Sequence, residues 1–296
     1  MRQLSIVFLC IPALFLFGVS VQAQSTIPLT EISGFSHPES VMQSGNTLFI
    51  SNIGAALDPA KKDGDGFISK VDLSTGKITD LHYLPAEGVL DAPKGMALNG
   101  RTLYVADIDH IVGFDIKSRE KVFDLTITGT SFLNDLVMGD GKLYASATDN
   151  GKIFEIDPSQ HTFHILPLKD SIAGANGLFF DHLSRTLYCV GIGSWGKWDG
   201  MLFAINLTDM STTKIASYQG MLDGVDMIGN TLYFSDWKGI DKKGNLFSLN
   251  LKTHAVNELS LTVGGIAGPA DFAVSTDHRY FIIPSTMEGK VYFEKR

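Results

Sequence analysis

Cysteine is nearly absent from this 296-residue chain, which contains only Cys10 and Cys189. Cys10 lies in an apolar N-terminal stretch that is predicted to be removed, so Cys189 has no partner for an intrachain disulfide bond. Cys189 stands inside a predicted strand, where a small buried apolar role is favoured over a nucleophilic one. Stability must therefore come from a hydrophobic core, and a hydrophobic content of 44% is enough to build one.

Basic clusters and helical periodicity are also missing. The net charge is −8, and the longest basic runs are the pairs Lys61, Lys62 and Lys242, Lys243. Nucleic-acid binding needs many clustered cations, so nucleic acid is excluded as a partner. No stretch of useful length places its apolar residues at the spacing of an amphipathic helix, which favours an all-β chain.

The N-terminal residues have the parts of a secretory signal. Arg2 precedes an apolar run at residues 4–21, and the small residue Ala23 follows it. We predict a signal peptide at residues 1–23, a single domain at residues 24–296, and a secreted or periplasmic protein without stable membrane association after cleavage. An uncleaved membrane anchor is the alternative, because the run is close to the length that spans a bilayer.

Most of the remaining sequence repeats one unit six times. Its clearest copy is residues 222–237, LDGVDMIGNTLYFSDW: a polar residue opens a short apolar segment, a turn follows, and an alternating strand completes a β-hairpin. Asp223 and Leu232 are nine residues apart, and four other copies keep this spacing; the copy that starts at Asn176 has two extra turn residues. The hairpin-opening residues, here called the mouth residues, are Glu39, Lys94, Asn134, Asn176, Asp223 and Asp271.

A second pair of strands follows each hairpin, for example at residues 66–72 and 77–81. Four strands in a repeat of about 45 residues are typical of a β-propeller blade. After the sixth hairpin only the strand at residues 290–294 remains, so the last blade lacks one strand. We predict an all-β, six-bladed β-propeller in which the N-terminal strand at residues 27–32 closes the last blade.

The mouth residues are predicted to converge, because the innermost strands of all blades begin at the same end of the central channel. Carboxylate and amide oxygens without His or Cys suit Ca²⁺ or Mg²⁺ rather than zinc. Turn formation is the alternative for each Asn and Asp, but it does not account for Glu39 or Lys94 at the same position. Lys94 is either a counter-charge for the acids or a substrate contact. Without a cation, three converging carboxylates would repel one another.

The three tryptophans fall on loops that the topology places on the same face as the mouth residues. Trp195 and Trp198 belong to one glycine-rich loop and Trp237 to the next. An apolar rim for a small-molecule substrate is one interpretation, and ordinary loop packing is the other.

Several mouth residues stand in short motifs. These are Pro38-Glu39, Asn134-Asp135, Ala175-Asn176-Gly177 and Asp223-Gly224-Val225-Asp226. Together with the repeat, they resemble the SMP-30/gluconolactonase group of six-bladed propellers and, more distantly, paraoxonase. The resemblance implies one divalent metal, usually calcium, held by Glu39, Asn176 and Asp223, with Asn134 as a further ligand or substrate contact and Asp223 as general base. Phe132 stands where lactone-hydrolysing members often carry Arg, and Lys94 stands where paraoxonase-like proteins have His.

Two function classes follow. The first is an exported, metal-dependent hydrolase of lactones or related esters, with Ca²⁺ or another divalent ion as cofactor and Asp223 or Asp271 as the base that activates water. Its candidate substrate-binding residues are Lys94, Phe132, Trp195, Trp198 and Trp237. The second is a propeller that binds a ligand or a protein without chemistry, since the fold alone does not choose between them.

Overall fold

The computed structural model describes residues 29–296, and every regular element in that range is a β-strand. Each alternating strand of the repeat forms as predicted, because period-2 patterning buries one side chain in two on either face of a sheet. No helix long and apolar enough to cross a membrane occurs in this part of the chain. The predicted signal peptide at residues 1–23 lies outside the described residues.

Six small sheets surround an axis, so the fold is a six-bladed β-propeller. The chain first forms β1 (Glu31–Ser33) and then blade 1, from β2 (Pro38–Ser44), β3 (Thr47–Asn52), β4 (Phe67–Asp72) and β5 (Lys77–Leu84). Blade 2 contains β6 (Pro93–Asn99), β7 (Thr102–Asp107), β8 (His110–Asp115) and β9 (Lys121–Thr126). Blade 3 contains β10 (Leu133–Gly139), β11 (Lys142–Ala147), β12 (Lys152–Asp157) and β13 (Thr162–Ile165).

The second half of the ring repeats this order. Blade 4 contains β14 (Ala175–Asp181), β15 (Thr186–Gly191), β16 (Leu202–Asn206) and β17 (Thr212–Lys214). Blade 5 contains β18 (Leu222–Ile228), β19 (Thr231–Asp236), β20 (Lys243–Asn250) and β21 (Val256–Glu258), and the short β22 (Ile266–Ala267) also pairs with β20. Blade 6 begins with β23 (Ala273–Val274), β24 (Tyr280–Ser285) and β25 (Lys290–Lys295). Neighbouring strands within each blade are antiparallel, and the first strand of each blade lies nearest the axis.

The N-terminal strand completes blade 6, which confirms the predicted closure. β1 pairs antiparallel with β25, with Ile32 opposite Val291, and forms the outermost strand of that blade. Of the predicted strand at residues 27–32, residues 27 and 28 lie outside the described residues. A second set of contacts closes the ring near the axis: the Asp271 N–H donates to the Glu39 carbonyl at 2.9 Å, and the Ser40 hydroxyl donates to the Asp271 carboxylate.

Between every two neighbouring blades lies one buried apolar cluster. Phe154 of blade 3, for example, packs in the cluster shared with blade 2, and Val291 packs in the cluster that joins blade 6 to blade 1. Cys189 is buried in the cluster between blades 3 and 4, as predicted. The core is thus distributed around the ring, and the polar ends of the innermost strands are left free for another role.

Candidate functional site

A β-bulge occurs at the start of the innermost strand in each of blades 1 to 5. In β2, pairing with β3 is interrupted between Pro38 and Val41, and the same shift occurs at the equivalent position of β6, β10, β14 and β18. The first residue inside each bulge is a mouth residue: Glu39, Lys94, Asn134, Asn176 or Asp223. A bulge redirects a side chain out of the normal pleat, so five blades hold these residues by the same device.

The second bulge residue is confined by the neighbouring blade. A Cβ added to Gly177 would lie 2.2 Å from the Asp223 carbonyl oxygen, and one added to Gly224 would lie 2.8 Å from the Asp271 Cα. No side chain fits at such distances, which explains the glycine after Asn176 and after Asp223. The innermost strands therefore touch at the axis and bring the mouth residues of blades 4, 5 and 6 together.

Serine hydroxyls stabilise three of the bulges. Ser51, Ser146 and Ser235 occupy the same position of the second strand, and each accepts a hydrogen bond from the N–H of the second bulge residue, at 2.9, 2.9 and 2.8 Å. A buried N–H without a partner would destabilise the fold, so these hydrogen bonds stabilise the bulged backbone. They were not singled out from the sequence, although their regular place at the end of the second strand of blades 1, 3 and 5 was a usable signal.

Four mouth residues each carry one buried side-chain oxygen without a hydrogen-bond partner in the described part of the chain. The atoms are Glu39 Oε2, Asn134 Oδ1, Asn176 Oδ1 and Asp223 Oδ1. Their side chains belong to residues only 4 to 6% exposed. Buried polar oxygens are normally satisfied, because leaving one unpaired costs about 1–3 kcal/mol. The four atoms belong to the four residues predicted as metal ligands.

The donor set fits a hard cation. Two carboxylates and two amides offer only oxygen, which suits Ca²⁺ or Mg²⁺. In residues 29–296 no three His, Cys, Asp or Glu side chains form a cluster that could hold a metal ion. Such a cluster includes no amide oxygens, so its absence there does not address a set in which half of the oxygens come from Asn134 and Asn176.

Asp223 is held in place by Trp237. The Trp237 indole Nε1–H donates to Asp223 Oδ2 at 2.8 Å, which leaves Oδ1 as the unpaired oxygen. Trp237 is buried against Ile192, Met221 and Ala270. Trp237 therefore follows the loop-packing interpretation and not that of an exposed rim, because the segment between blades 5 and 6 at Gly268 covers its ring.

The acids at the axis have raised pKa values because they are buried. Burial, with the nearby Asp271 carboxylate, raises the pKa of Asp223 to about 8. Burial raises the pKa of Asp271 to about 7, partly offset by the hydrogen bond from Ser40. Burial and the charges of Asp223 and Asp271 also hold the pKa of Glu39 well above its usual range. These mutual effects show that the mouth residues of blades 1, 5 and 6 lie within electrostatic reach of one another.

Lys94 is a buried cation on the same ring. Only 1% of the residue is exposed, its Nζ donates to the Ala92 carbonyl at 2.8 Å, and it lies 4.9 Å from the centre of the Phe132 ring. Burial lowers the pKa of Lys94 to about 8, while the charge of Glu39 opposes that shift. Of the two sequence interpretations, the counter-charge role has direct support, since Lys94 also keeps the pKa of Glu39 lower than it would otherwise be.

Asp135, the second bulge residue of blade 3, was not predicted as a site residue. It is buried, and its carboxylate accepts hydrogen bonds from the backbone N–H groups of Leu178 at 2.6 Å and Leu136 at 2.7 Å. The first of these bonds crosses from blade 3 to blade 4. Burial raises the pKa of Asp135, as for the mouth acids. These two backbone hydrogen bonds account for an acid directly after Asn134.

Trp195 is an exposed aromatic on the site face. The residue is 72% exposed, and its ring meets Trp198 edge to face with 5.3 Å between centroids. Trp198 is half-buried and packs toward Trp237. Phe132 and Trp195 line the same cavity of about 370 Å³ between blades 3 and 4. Of the three predicted tryptophans, Trp195 therefore fits the rim role best.

Two further cavities lie away from the mouth residues. One of about 560 Å³ lies along blade 4 and shares Ser171 and Ser194 with the 370 Å³ cavity, and one of about 440 Å³ lies at the opposite end of the seam between blades 6 and 1. None of the three cavities is lined by a mouth residue. The 370 Å³ cavity is connected to a mouth residue through Thr148, which lines it and accepts a hydrogen bond from Asn134.

No protein-family model matches this chain, and no curated protein matches it. Solved structures match its fold. Virginiamycin B lyase from Staphylococcus aureus is 13% identical, with 90% of this chain and 99% of that chain covered and a TM-score of 0.62. A structural genomics protein of unknown function from Bacteroides thetaiotaomicron VPI-5482 is 12% identical, with coverage of 92% and 73% and a TM-score of 0.66. Hydrazine synthase from Kuenenia stuttgartiensis is 16% identical, with coverage of 92% and 77% and a TM-score of 0.59. At these identities the likeness shows the propeller fold alone.

Proposed function

We propose that the protein is an exported, metal-dependent hydrolase of lactones or related esters, akin to the SMP-30/gluconolactonase group, with its active site at the mouth residues. The observation that carries the proposal is the set of four buried oxygens without partners, contributed by Glu39, Asn134, Asn176 and Asp223. A scaffold gains nothing from four such atoms around one axis, whereas a bound cation satisfies all of them at once.

Ca²⁺ is the proposed ion, and another divalent cation that prefers oxygen is compatible with the same donors. Such an ion supplies positive charge that polarises an ester carbonyl. The chain's own part is to hold the oxygens ready: the bulges fix the backbone, and the Trp237 indole fixes Asp223 so that Oδ1 stays free. Lys94 balances part of the remaining negative charge without occupying a ligand position.

Asp271 is the better-placed of the two predicted bases. It is more exposed than Asp223, and its Oδ2 accepts the Ser40 hydroxyl, which orients the carboxylate. A base works best when its pKa is close to the operating pH, and burial raises the pKa of Asp271 to about 7. In this proposal Asp271 takes the proton of the attacking water, while Asp223 serves as a ligand.

The alternative is a propeller that binds without chemistry. It is favoured by the lining of the three cavities described above, none of which includes a mouth residue. A lyase among the structural neighbours suggests elimination as a second reaction type, which consumes no water.

The most informative experiment is a screen of lactones and aryl esters with and without Ca²⁺, followed by mass analysis of the products. Hydrolysis of a lactone adds the mass of one water, whereas elimination gives an unsaturated acid of unchanged mass. Metal-dependent addition of water supports the proposal. Absence of metal-dependent turnover on every substrate would favour the binding alternative.

A further inference from the structure

The cavity of about 370 Å³ between blades 3 and 4 is joined to the mouth residues by Thr148. The Thr148 hydroxyl accepts a hydrogen bond from the Asn134 amide at 3.0 Å and donates one to the Ala175 carbonyl at 2.8 Å. Thr148 also lines the cavity. A molecule whose reacting group lies among the unpaired oxygens could therefore extend into this space, whose volume falls in the range of small-molecule sites.

The cavity wall carries no cationic side chain. Its apolar part comes from Phe132, Ile192 and Trp195, and no Lys, Arg or His is among the lining residues. The one charged liner, Asp149, already accepts hydrogen bonds from the Thr130 hydroxyl at 2.7 Å and the Ser131 N–H at 2.8 Å. An anionic group placed here would lose hydration and be repelled by Asp149 without gaining a cationic partner.

Phe132 separates this cavity from Lys94. The Lys94 ammonium lies 4.9 Å from the centre of the Phe132 ring, while Lys94 itself does not line the cavity. The ring thus contacts the cation and also forms part of the cavity wall. Exchange of Phe132 for a smaller residue would expose the ammonium to whatever occupies the cavity.

We propose that this cavity is a subsite for an uncharged apolar group of the substrate, such as an alkyl or aryl tail on a lactone or ester, and that Phe132 sets this preference by screening Lys94. This rests on the proposed hydrolase function and narrows its substrate class. Trp195 supplies an exposed aromatic wall against which a tail can pack.

A pair of non-hydrolysable lactams separates tail preference from catalysis. Neutral 5-phenylpyrrolidin-2-one and anionic pyroglutamate share one ring and differ in the group at its fifth position. Titration by calorimetry into the Ca²⁺-loaded protein should show the neutral lactam binding at least about tenfold more tightly, because the phenyl ring is buried and the carboxylate has no cationic partner. Tighter binding of pyroglutamate, equal binding, or no binding of either lactam would overturn the subsite.

Five variants test the subsite and the role of Phe132. Phe132→Ala should weaken binding of the neutral lactam and strengthen binding of pyroglutamate. The gain in pyroglutamate affinity should vanish in Phe132→Ala/Lys94→Met. Phe132→Leu keeps an apolar screen and should keep the wild-type preference. Trp195→Ala should weaken only the neutral lactam, by about fivefold, whereas Leu183→Ala, a fully exposed residue on a distant turn, should change neither. Unchanged selectivity in Phe132→Ala would contradict the screening role.

The outcomes distinguish the two proposals. Failure to hydrolyse any lactone or ester would remove the hydrolase proposal, yet the lactam preference could still be measured. Equal rates of hydrolysis for substrates with neutral and with anionic tails would contradict the subsite but not the hydrolase proposal.

Discussion

The blade interfaces and the mouth of the propeller differ in how their buried groups are satisfied. Each of the six blade interfaces is an apolar cluster whose members bury almost all of their surface. At the mouth, four buried oxygens have no partner in the described residues, and the acids there have raised pKa values because of their burial. The blade interfaces stabilise the folded state, and the mouth destabilises it. Such a local cost is expected where a ligand binds.

Stability and function should therefore respond to different substitutions in this chain. The mouth residues stand on bulges at strand ends, so replacing one of them leaves the apolar clusters intact. A substitution inside a cluster should in turn leave the unpaired oxygens unchanged. Each prediction below tests this separation.

Removal of β1 should have the largest effect. A chain that begins at Gly34 loses the outermost strand of blade 6 and the buried Ile32, and it leaves β25 as an open edge. We expect loss of the folded monomer, seen as aggregation or a greatly lowered Tm in scanning calorimetry. A truncated monomer as stable as the chain with β1 would show that the contacts between Glu39, Ser40 and Asp271 close the ring without it.

Phe154→Ala should destabilise the fold without altering the mouth. Phe154 is fully buried between blades 2 and 3, and its truncation should lower the free energy of unfolding by about 3–5 kcal/mol in denaturant titrations. Calcium affinity, measured well below the new unfolding midpoint, should stay unchanged. A matched fall in affinity would mean that the two regions are coupled.

Trp237→Phe should alter the mouth and weaken calcium binding, with a smaller effect on the stability of the fold. The phenyl ring retains the packing against Met221 and Ala270 but loses the hydrogen bond to Asp223, which is worth about 1.5–3 kcal/mol when the acceptor is charged. Calcium affinity should fall by at least about tenfold, and the free energy of unfolding of the metal-free protein should fall by less than in Phe154→Ala. Trp195→Phe is the matched control, because Trp195 makes no contact with Asp223. Equal effects of the two variants would remove Trp237 from the site.

The metal-free protein should lose stability as pH rises. Asp271 and Asp223 have folded pKa values of about 7 and about 8, above the usual unfolded value. Their protonated forms are therefore favoured by folding, so stability is full below about pH 4, falls as pH rises to about 8, and then levels off. Lys94 acts in the opposite direction only above pH 8, since its lowered pKa is about 8. Tm measurements between pH 5 and 8 should show the fall, and Ca²⁺ should reduce it. A Tm that rises over this range in the metal-free protein would contradict the buried-acid account.

The sequence predicted the ring and its closure because both depend on local patterns. Two patterns were sufficient for this prediction: the hairpin spacing from Asp223 to Leu232 and the single unpaired strand near Ile32. It also placed the mouth residues at one position of each blade. The bulges that orient them were not predicted, although the serine at the end of the second strand, as in Ser235, accompanies three of them.

The features that the sequence did not reveal depend on contacts between blades. Trp237 is buried because a turn more than thirty residues later, at Gly268, covers it. Asp135 is a backbone acceptor because Leu178 of the next blade reaches it. The contact between the Lys94 ammonium and the Phe132 ring likewise joins blades 2 and 3. Residues so far apart in sequence carry no local signal of their contact.

The central claim is that the four unpaired oxygens bind one divalent cation, and calcium titration by calorimetry tests it most directly. The wild-type protein should bind one Ca²⁺ per chain. Asp223→Asn should bind it at least about tenfold more weakly, because one ligand charge is lost while the shape is kept. Asp241→Asn removes the same charge from an exposed loop and should bind as the wild type does. Equal affinity in Asp223→Asn and the wild type, or no binding by the wild type, would contradict the account.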